Sequence, residues 1–375
     1  MDLQKYLIDN SDADGNLSKK SKKELLINYK IKNKAHSEYP NLLLFKYAQN
    51  CFNFKNKLTC QARGIIFDKS QGWKIISYPY DKFFNLGESE AAQVEINDDT
   101  RLYEKEDGSL MTVYFYDNKW HVSTSGKPDA GGTINNIHGP DKTFHHLFWR
   151  IWNELGYVLP EDRDICYIFE LVSPINRIVV DHKESNIILH GARSLIDYKE
   201  LDPVPISQKY GWNLVRIHNL NMDPKNLSII ANNLNPLESE GFILCDKKFN
   251  RIKIKCREYV RLSQHKGSLT SIGSDVSMVE IIQSNNASEI INAFPEWREK
   301  YEDIKNRYDK LCDEILTTYS EKKDIVEQKD FALSIANIWY KGILFALRKR
   351  DSRNQDLNLD SLLNRMGPKL IMSKI

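Results

Sequence analysis

Eight segments between Ala62 and Cys256 have the length and composition of β-strands, and they limit the fold more than any other feature of the chain. Many of them alternate apolar with polar residues, as strands do when one face is buried. The segments are ARGIIFD (62–68), WKIISYP (73–79), SLMTVYFY (109–116), KWHVSTS (119–125), CYIFELV (166–172), NIILHGA (186–192), EGFILCD (240–246) and RIKIKC (251–256). Helical stretches are predicted at Thr143–Leu155 and Pro224–Leu234. The pattern predicts an α+β fold built on antiparallel sheets.

The pattern becomes helical after about Asp275. Pro295 is predicted to open a helix. Within it, apolar residues recur at gaps of four and three on one face, which is typical of core packing; they are Trp297, Tyr301, Ile304, Tyr308, Leu311 and Ile315. Further helices are predicted at Phe331–Lys349, after Leu357, and in the charged stretch Lys19–Lys34. The chain is therefore predicted to have an α+β domain over residues 1–265 and a small all-helical domain over 266–375.

The formal net charge of the 375 residues is only +2, but the charge is unevenly distributed. Between Lys247 and Lys266 there are eight Lys or Arg residues and one acid, Glu258. Such a surplus suits a polyanionic partner, although a solvated charged strand has the same composition. The six cysteines form no C-x-x-C pair, which predicts reduced thiols in a cytoplasmic protein. No signal peptide and no membrane span are predicted.

The segment Lys105-Glu106-Asp107-Gly108 carries the chemistry of the chain. Taken alone, Asp-Gly indicates no more than an exposed hairpin turn. Its companions change that interpretation, because further charged residues lie at strand edges both before and after this segment. They are Glu170, Glu240-Gly241 and Lys253-x-Lys255 downstream, with Arg63-Gly64 and Lys82 upstream. Each has a structural alternative: Glu170 could be a paired acid, and Lys253 and Lys255 a solvated strand edge.

This ordered set resembles the signature of the covalent nucleotidyltransferases, the superfamily of DNA ligases, RNA ligases and mRNA capping enzymes. The segments RGIIF, KFFNL, KEDGSL, FELVSPINRIVV, EGFIL and KIKCREYV resemble the RNA ligase 1 family in particular, over roughly Cys60 to Lys266. The resemblance implies that residues 1–265 form an adenylyltransferase domain with an antiparallel-sheet, ATP-grasp-like ligase fold. It also implies that the helical domain serves as a specificity module for tRNA or another RNA.

The resemblance implies a role for each matched residue. Lys105 would be the nucleophile that carries AMP, and Lys253 and Lys255 would engage the α-phosphate. Contacts to ATP are implied for Arg63, Lys82, Glu104, Gly108, Glu170, Glu240, Ile243 and Tyr259. The family also places a basic residue directly before a glycine in the strand after the nucleophile. Here the order is Ser125-Gly126-Lys127, so Lys127 would have to reach the phosphate from the far side of the glycine, or the contact is lost.

The residue types suit transfer of a nucleotide to lysine. The amine must lose a proton before it attacks phosphorus, so nearby cations such as Lys253 and Lys255, together with a metal ion, are predicted to lower its pKa. Asp107, Glu170 and Glu240 are predicted to hold Mg²⁺ (or Mn²⁺), in part through water. Arg348-Lys349-Arg350 in the helical domain could contact phosphates or form a solvated helix end.

The predicted activity is ATP-dependent joining of RNA 3′-hydroxyl and 5′-phosphate ends through lysyl-AMP, as in tRNA repair. No phosphate-binding Gly-x-x-x-x-Gly-Lys-Ser/Thr loop is present in the sequence, so the ends would be prepared by a separate kinase or phosphatase. Two alternatives are a DNA ligase or GTP-dependent capping enzyme, and a non-catalytic protein that binds RNA ends. The first would be expected to add a β-barrel after Lys255, where the sequence turns helical. The second is disfavoured by the intact set of charged residues.

Overall fold

A computed structural model describes residues 1–48, 51, 54–134, 142–220, 223–268, 274–283, 287, 291, 297–353 and 359–375. Its contacts divide the chain into two compact units, Met1–Arg261 and Leu262–Ile375. This division falls four residues before the boundary that the sequence predicts. Within the described ranges, no helix is both long enough and apolar enough to cross a membrane.

The first unit contains three sheets. Its strands are β1 (Ile31–Ala35), β2 (Leu42–Tyr47), β3 (Arg63–Asp68), β4 (Lys74–Ser77), β5 (Phe84–Asn85), β6 (Arg101–Glu104), β7 (Ser109–Tyr116), β8 (Lys119–Thr124), β9 (Ile165–Val172), β10 (Asn186–Ser194), β11 (Glu200–Leu201), β12 (Ile217–His218), β13 (Gly241–Cys245) and β14 (Arg251–Lys255). Its helices are α1 (Asp2–Asp9), α2 (Lys19–Ile27), α3 (Lys57–Gln61), α4 (Phe144–Glu154), α5 (Pro203–Tyr210), α6 (Pro224–Asn232) and α7 (Arg257–Ser268), the last of which continues past the boundary.

The N-terminal sheet has the order β1-β2-β3-β4 and is antiparallel throughout. Leu3, Leu7 and Leu25 of the first two helices are buried against its apolar face, together with Phe45 and Phe67. The charged ends of β2 and β3 lie outside this core. Lys46 is directly opposite Arg63, so the two side chains share a face of the sheet.

The central sheet has the order β11-β10-β9-β7-β8. Helix α4 lies on one face, where Phe148 and Trp152 pack against Phe169 of β9 and Trp212. Thr143 caps the helix by accepting a hydrogen bond from the backbone N–H of His146. Because this face is filled by large aromatic side chains, Glu170 of β9 projects from the other face.

The third sheet has the order β12-β6-β13-β14-β5, and it brings the charged motifs together. In its antiparallel register, Phe242 of β13 is opposite Glu104, and Gly241 is opposite Lys255. The last pair, β14 with β5, is parallel. The end of β6 therefore lies beside the start of β13 and the end of β14, although these elements are far apart in sequence.

The structure confirms the α+β class, the eight strand segments, and the helices at 143–155 and 224–234. The predicted helix Lys19–Lys34 is wrong in its second half. Helix α2 ends at Ile27, and Lys30 adopts a left-handed backbone conformation with φ of +55°. Since a helix cannot continue through that conformation, the chain turns and Ile31 begins β1.

The described part of the second unit is helical. Its helices are α8 (Asp275–Ile282), α9 (Arg298–Lys322), α10 (Gln328–Ser334), α11 (Lys341–Arg353), α12 (Leu359–Asn364) and α13 (Pro368–Met372). The predicted apolar stripe is confirmed over Ile304, Tyr308, Leu311 and Ile315, which are all buried. Pro295, predicted to open this helix, lies outside the described residues.

The helix predicted over Phe331–Lys349 is in fact two helices, α10 and α11, with a break between Ser334 and Lys341. Phe331 and Ile335 are buried before or at the break, and Leu344 and Leu347 after it. At about 100° per residue, one continuous helix would place these two pairs on opposite faces. The break lets both pairs reach the core.

Candidate active site

Lys105 follows the last residue of β6, and the third sheet holds its backbone in place. Its N–H donates to the carbonyl oxygen of Gly241, 2.8 Å away. Its side-chain amine lies 2.6 Å from Oε2 of Glu240. The side chain of Lys105 is 21% exposed and that of Glu240 is 3% exposed, so the amine is accessible while the carboxylate beneath it is not.

Glu240 is shared between two lysines. Its Oε1 atom lies 2.7 Å from Nζ of Lys255, which completes a Lys105–Glu240–Lys255 bridge. The following residue, Gly241, has φ of +130°, and a side chain there would collide with the carbonyl oxygen of Ile254. The glycine is required because β13 passes very close to β14 at this point, and this close approach brings Glu240 under both amines.

A pocket opens in front of Lys105. It is lined by Arg63, Tyr80, Phe83, Tyr103, Glu104, Lys105, Glu106, Leu110, Glu170, His190, Val215, Ile243, Arg251, Lys253 and Lys255. Seven of these are predicted site residues: Arg63, Glu104, Lys105, Glu170, Ile243, Lys253 and Lys255. The pocket joins an aromatic and aliphatic wall to a cluster of cations, which suits a ligand with an apolar ring and an anionic tail.

The electrostatics differ from the prediction for Lys105. Burial disfavours its ammonium form, but Glu240 and Glu170 outweigh this, so the pKa of Lys105 is raised rather than lowered. The lowered pKa belongs to Lys253, where burial first, and then the charges of Arg63 and Lys105, bring the pKa to about 6. Without a bound metal ion, which the prediction included, the carboxylate in direct contact with Lys105 outweighs the nearby cations.

Two basic residues of the pocket, Arg63 and Lys253, have no acidic partner among the described residues. Within the described part of the chain, no carboxylate forms an ion pair with Arg63 or Lys253. Arg63 donates to the backbone carbonyl of Asp81 at 3.3 Å, and both cations lie over the ring of Phe83, at 4.9 Å and 4.6 Å from its centre. Cations left without counter-ions in a pocket define an anion-binding site.

The acids of the pocket face the same space. Burial, together with Glu104 and Glu170, raises the pKa of Glu106 to about 7. Glu170 lies 3.4 Å from Nε2 of His190. Among the described residues, no group of three or more His, Cys, Asp or Glu side chains is arranged to hold a metal ion. Glu106 and Glu170 line the same pocket and carry the oxygen atoms that Mg²⁺ prefers as ligands.

Glu104, the residue before the lysine, is fixed by three hydrogen bonds. Its carboxylate is bonded to Nε2 of His218 at 2.7 Å and accepts from the hydroxyl of Ser239. Its backbone N–H donates to the carbonyl of Arg216 at 2.8 Å. These contacts hold the strand end on which Lys105 stands. Glu104 lies in the pocket wall, as predicted for a nucleotide-binding residue.

Asp107 does not occupy the predicted metal-ligand position. It is buried, and Oδ2 accepts hydrogen bonds from the N–H groups of Val179 and Val180, both at 2.7 Å. Oδ1 accepts from the hydroxyl of Tyr259 at 2.6 Å. The carboxylate is therefore used in fixing the loop after Lys105. Tyr259, predicted to contact the nucleotide, lies outside the pocket wall and holds Asp107.

Three other predicted residues lie differently from expectation. A side chain on Gly108 would collide with the carbonyl oxygen of Leu171, so this glycine permits packing against β9 rather than against a nucleotide. Lys82 lies over the rings of Phe54 and Phe84, at 4.4 Å and 5.1 Å, beside a neighbouring cavity. Lys127 donates to the carbonyl of Gly131 at 3.1 Å and is absent from the pocket wall.

Glu240, predicted as a metal ligand, has both carboxylate oxygens in ion pairs with lysines.

Some pocket residues are missed by the sequence argument. Arg251 lines the pocket and forms an ion pair with Glu200 at 2.5 Å. The strand period offers a signal for it, because Arg251 lies two residues before Lys253 and shares its face of β14. Tyr80 and His190 are stacked with ring centres 5.5 Å apart. They have no comparable signal, since only the pairing of distant elements brings them to the pocket.

Comparisons with known proteins identify the family of the chain. A family model described as RNA ligase matches residues 61–259, which is more than half of the chain. The chain belongs to this RNA ligase family. The match contains Arg63, Lys105, Glu170, Glu240, Lys253 and Lys255, and membership in the family supports an RNA ligase over a DNA ligase or capping enzyme.

Individual relatives are similar over different lengths. The RNA ligase of Rhodothermus phage RM378 is 27% identical over 394 residues, covering 86% of this chain and 88% of the phage protein. A putative bifunctional polynucleotide kinase/RNA ligase of Autographa californica nuclear polyhedrosis virus is 25% identical, covering 76% of this chain. The match covers 42% of that viral protein, so the chain spans less than half of its length.

Solved structures of Naegleria gruberi RNA ligase are also similar to part of the chain. The structure with PPi is 14% identical with a TM-score of 0.35, covering 53% of this chain and 67% of that one. A variant solved with ATP and Mn is 13% identical with a TM-score of 0.33, covering 44% and 51%.

Proposed function

We propose that this chain is an ATP-dependent RNA ligase that joins a 3′-hydroxyl to a 5′-phosphate through an adenylate on Lys105. The observation that carries the proposal is the arrangement of one pocket. An accessible amine, Lys105, stands there on the buried carboxylate of Glu240, and faces cations that no described carboxylate neutralises. An amine nucleophile next to an anion site is what attack on a nucleotide phosphate requires.

The first step transfers AMP to the lysine. Nζ of Lys105 attacks the α-phosphorus of ATP; a phosphorus–nitrogen bond forms, and the bond to the departing pyrophosphate breaks. Lys105 rests as an ammonium, so two protons leave Nζ: the first passes to solvent and frees the electron pair that attacks, and the second passes to Oε2 of Glu240, its partner at 2.6 Å, as the phosphorus–nitrogen bond forms. Lys253, whose pKa of about 6 leaves it neutral in the resting pocket, takes up a proton as the phosphates arrive and then binds them as a cation.

The next two steps use the same pocket. An oxygen of the RNA 5′-phosphate attacks the phosphorus of the lysyl adenylate, and the phosphorus–nitrogen bond breaks. The RNA 3′-hydroxyl then attacks the activated 5′-phosphorus and releases AMP. A Mg²⁺ (or Mn²⁺) ion near Glu106 and Glu170 would neutralise charge on the phosphates. Lys255 remains bound to Glu240 and holds this carboxylate beneath Lys105.

The apolar wall suits the adenine ring. Tyr103, Val215 and Ile243 line the pocket beside Lys105. Tyr103 and Ile243 are directly opposite each other on β6 and β13, so their side chains share one face of the sheet. A base lying on this face would place its α-phosphate toward Lys105 and the cations.

For the substrate, we propose RNA broken in a folded context such as tRNA, with the helical unit contributing to its recognition. The relative from the baculovirus is titled a bifunctional kinase/ligase, and the match covers less than half of it. This supports the proposal that a separate end-healing protein prepares the RNA 5′-phosphate and 3′-hydroxyl ends. Sealing of a tRNA nicked in its anticodon loop is expected to have a higher kcat/KM than sealing of an unstructured RNA of equal length. Equal values would contradict the tRNA assignment without affecting the ligase assignment.

The adenylation itself is tested by incubating the full chain with α-³²P-labelled ATP or GTP and Mg²⁺, followed by a denaturing gel. Label from ATP is expected on the wild type and absent from Lys105→Ala. Lys247→Ala is the matched control, because this lysine is exposed at the β13–β14 turn and paired with Asp99. Label from GTP alone would indicate capping chemistry. No label on folded protein that is free of prebound AMP would overturn the proposal.

A further inference from the structure

Lys46 is paired with Arg63, a residue that lines the pocket described above, but no motif of the sequence points to it. It stands at the end of β2, directly opposite Arg63 of β3, so the two side chains share a face of the sheet. Its Nζ atom donates to the hydroxyl of Ser125 at 2.9 Å, where β8 ends in the Ser125-Gly126 turn. The amine is therefore held between the N-terminal and central sheets, next to a pocket-lining arginine.

The surroundings of Lys46 lack negative charge. Ser125 is a neutral partner, and no described carboxylate forms an ion pair with Lys46. Burial, followed by the positive charges of Arg63 and Lys34, lowers the pKa of Lys46. A half-buried lysine among cations is costly unless an anion compensates it. Lys46 is therefore, like Arg63, a basic side chain without an acidic partner among the described residues.

The packing of the neighbouring backbone fixes this position. A side chain on Gly64 would come within 3.1 Å of Cα of Ser125, so β3 lies tightly against the turn after β8. Gly126 leaves its side toward Lys46 open, because a side chain there would come no closer than 3.8 Å to Nζ. The amine thus has a fixed hydroxyl partner on one side and free space beside Gly126.

We propose that Lys46 binds the terminal phosphates of the nucleoside triphosphate and is a specificity-determining residue for the adenylation step. The proposal rests on the use of a triphosphate proposed above. Lys105 marks the α-phosphate, Arg63 and Lys253 lie in the same pocket wall, and Lys46 shares a face of the N-terminal sheet with Arg63. The exposed Lys32 and Lys34 of β1 continue this face to the surface.

A phosphate of the RNA end would bind Lys46 in the same way as a terminal phosphate of ATP. The experiment therefore compares a reaction that uses the triphosphate with one that does not. Adenylation by ATP uses the terminal phosphates. Sealing of RNA that already carries a 5′-adenylate does not. For Lys46→Met we expect the KM for ATP in adenylation to rise at least tenfold, while sealing of pre-adenylated RNA stays within twofold of the wild type. A loss confined to sealing would place an RNA phosphate at Lys46, and equal losses in both reactions would indicate a structural role. Either result would overturn the proposal, as would an unchanged KM for ATP.

Two further variants guard against a purely structural effect. Ser125→Lys in the Lys46→Met background returns an amine to the same place and is expected to restore the KM for ATP. Ser125→Asp keeps Lys46 but gives it a counter-ion, and is expected to raise that KM as Lys46→Met does. Failure of both effects would contradict the proposal even if Lys46→Met were unfolded.

Lys74→Met is the matched control, because Lys74 is an exposed lysine on β4 of the same sheet. It is expected to leave adenylation unchanged. Labelling of the wild type by ATP tests the proposed ligase function separately from the role of Lys46. If the wild type is labelled and Lys46→Met has a normal KM, only the role of Lys46 is wrong.

Discussion

Nζ of Lys105 lies 2.6 Å from Oε2 of Glu240, and this ion pair sets the resting state of the pocket. It positions the amine, but it also keeps the amine protonated, since Glu240 and Glu170 raise the pKa of Lys105 against the effect of burial. The same carboxylate is the nearest base to the amine. This one contact therefore positions the amine of Lys105, keeps it protonated at rest and provides an acceptor for its proton.

The pH dependence of adenylation should report this pair. Because the pKa of Lys105 is raised, the single-turnover rate of lysine adenylation is expected to keep rising with pH through the alkaline range in the wild type. Glu240→Gln removes the nearest negative charge, so burial becomes dominant and the profile is expected to move about one pH unit or more toward acid. Glu238→Gln, an exposed acid two residues earlier, should keep the wild-type profile. Superimposable profiles for Glu240→Gln and wild type would refute this account.

Lys253 is expected to lower the stability of the folded protein, although the proposed reaction needs it to bind phosphate. Its pKa is about 6 in the folded protein against 10.5 for an ordinary lysine, so between these values the unfolded chain binds one more proton and stability rises with pH. Lys253→Met removes this effect, and its Tm at pH 7 is expected to exceed that of the wild type by about 2 °C or more. The gain should shrink toward pH 10, while adenylation is lost.

Lys255→Met is the matched variant for this experiment, because Lys255 is two residues away on the same strand face but is paired with Glu240 at 2.7 Å. Removing it leaves the buried carboxylate with one partner fewer, so Tm is expected to fall. A change of Tm in the same direction in both variants would contradict the claim that Lys255 has a compensating acid and Lys253 does not.

The Tyr259 hydroxyl is expected to act through Asp107. Tyr259→Phe deletes the 2.6 Å hydrogen bond to this buried carboxylate and should lower the free energy of unfolding by about 1–3 kcal/mol. Urea denaturation measures the change. Tyr39→Phe is the control, since its bond to Asp117 is at the surface and its loss should cost less than about 0.5 kcal/mol. Equal effects of the two variants would show that Asp107 does not depend on Tyr259.

Glu106 should make stability depend on pH in the opposite sense from Lys253. Its pKa is raised to about 7 from 4.5, so between these values the folded protein binds more protons than the unfolded chain, and stability falls as pH rises. Glu106→Gln is expected to raise Tm at pH 8 and to change it little at pH 5. Glu184→Gln, at an exposed position, should show no such difference. A rise in Tm at pH 5 as large as at pH 8 would contradict the raised pKa.

Several site residues could be predicted from sequence because local patterns report them. Lys105, Glu170, Glu240, Lys253 and Lys255 lie at or within strands whose alternation is visible in the sequence, and each has the charge that phosphate chemistry needs. The strand period also places Lys253 and Lys255 on one face. Similarly, the stripe from Ile304 to Ile315 predicts the buried face of α9, since a helix of fixed period repeats its contacts.

Other properties depend on neighbours that are remote in sequence. Asp107 and Gly108 belong to the same motif as Lys105. However, Asp107 is turned inward by the N–H groups of Val179 and Val180, and Gly108 is required by the nearby carbonyl of Leu171. The basic residues of the helical domain show the same dependence. The guanidinium of Arg348 is bonded to the carbonyl oxygens of Ile325 and Val326, both at 2.7 Å, rather than forming a solvated helix end.

The sequence by itself determined the fold class, the strand and helix segments, and the charged residues from which the pocket is built, because periodicity and residue type are local properties. Only the tertiary structure decided which charges touch. The register of β6, β13 and β14 places Glu240 under Lys105 and thereby raises a pKa that the sequence argument expected to be lowered. The pairing of β2 with β3 and the contact with the end of β8 place Lys46 beside Arg63 and Ser125, a position to which no motif pointed. Charge–charge interactions depend on distances of a few ångströms, and only strand pairing sets those distances.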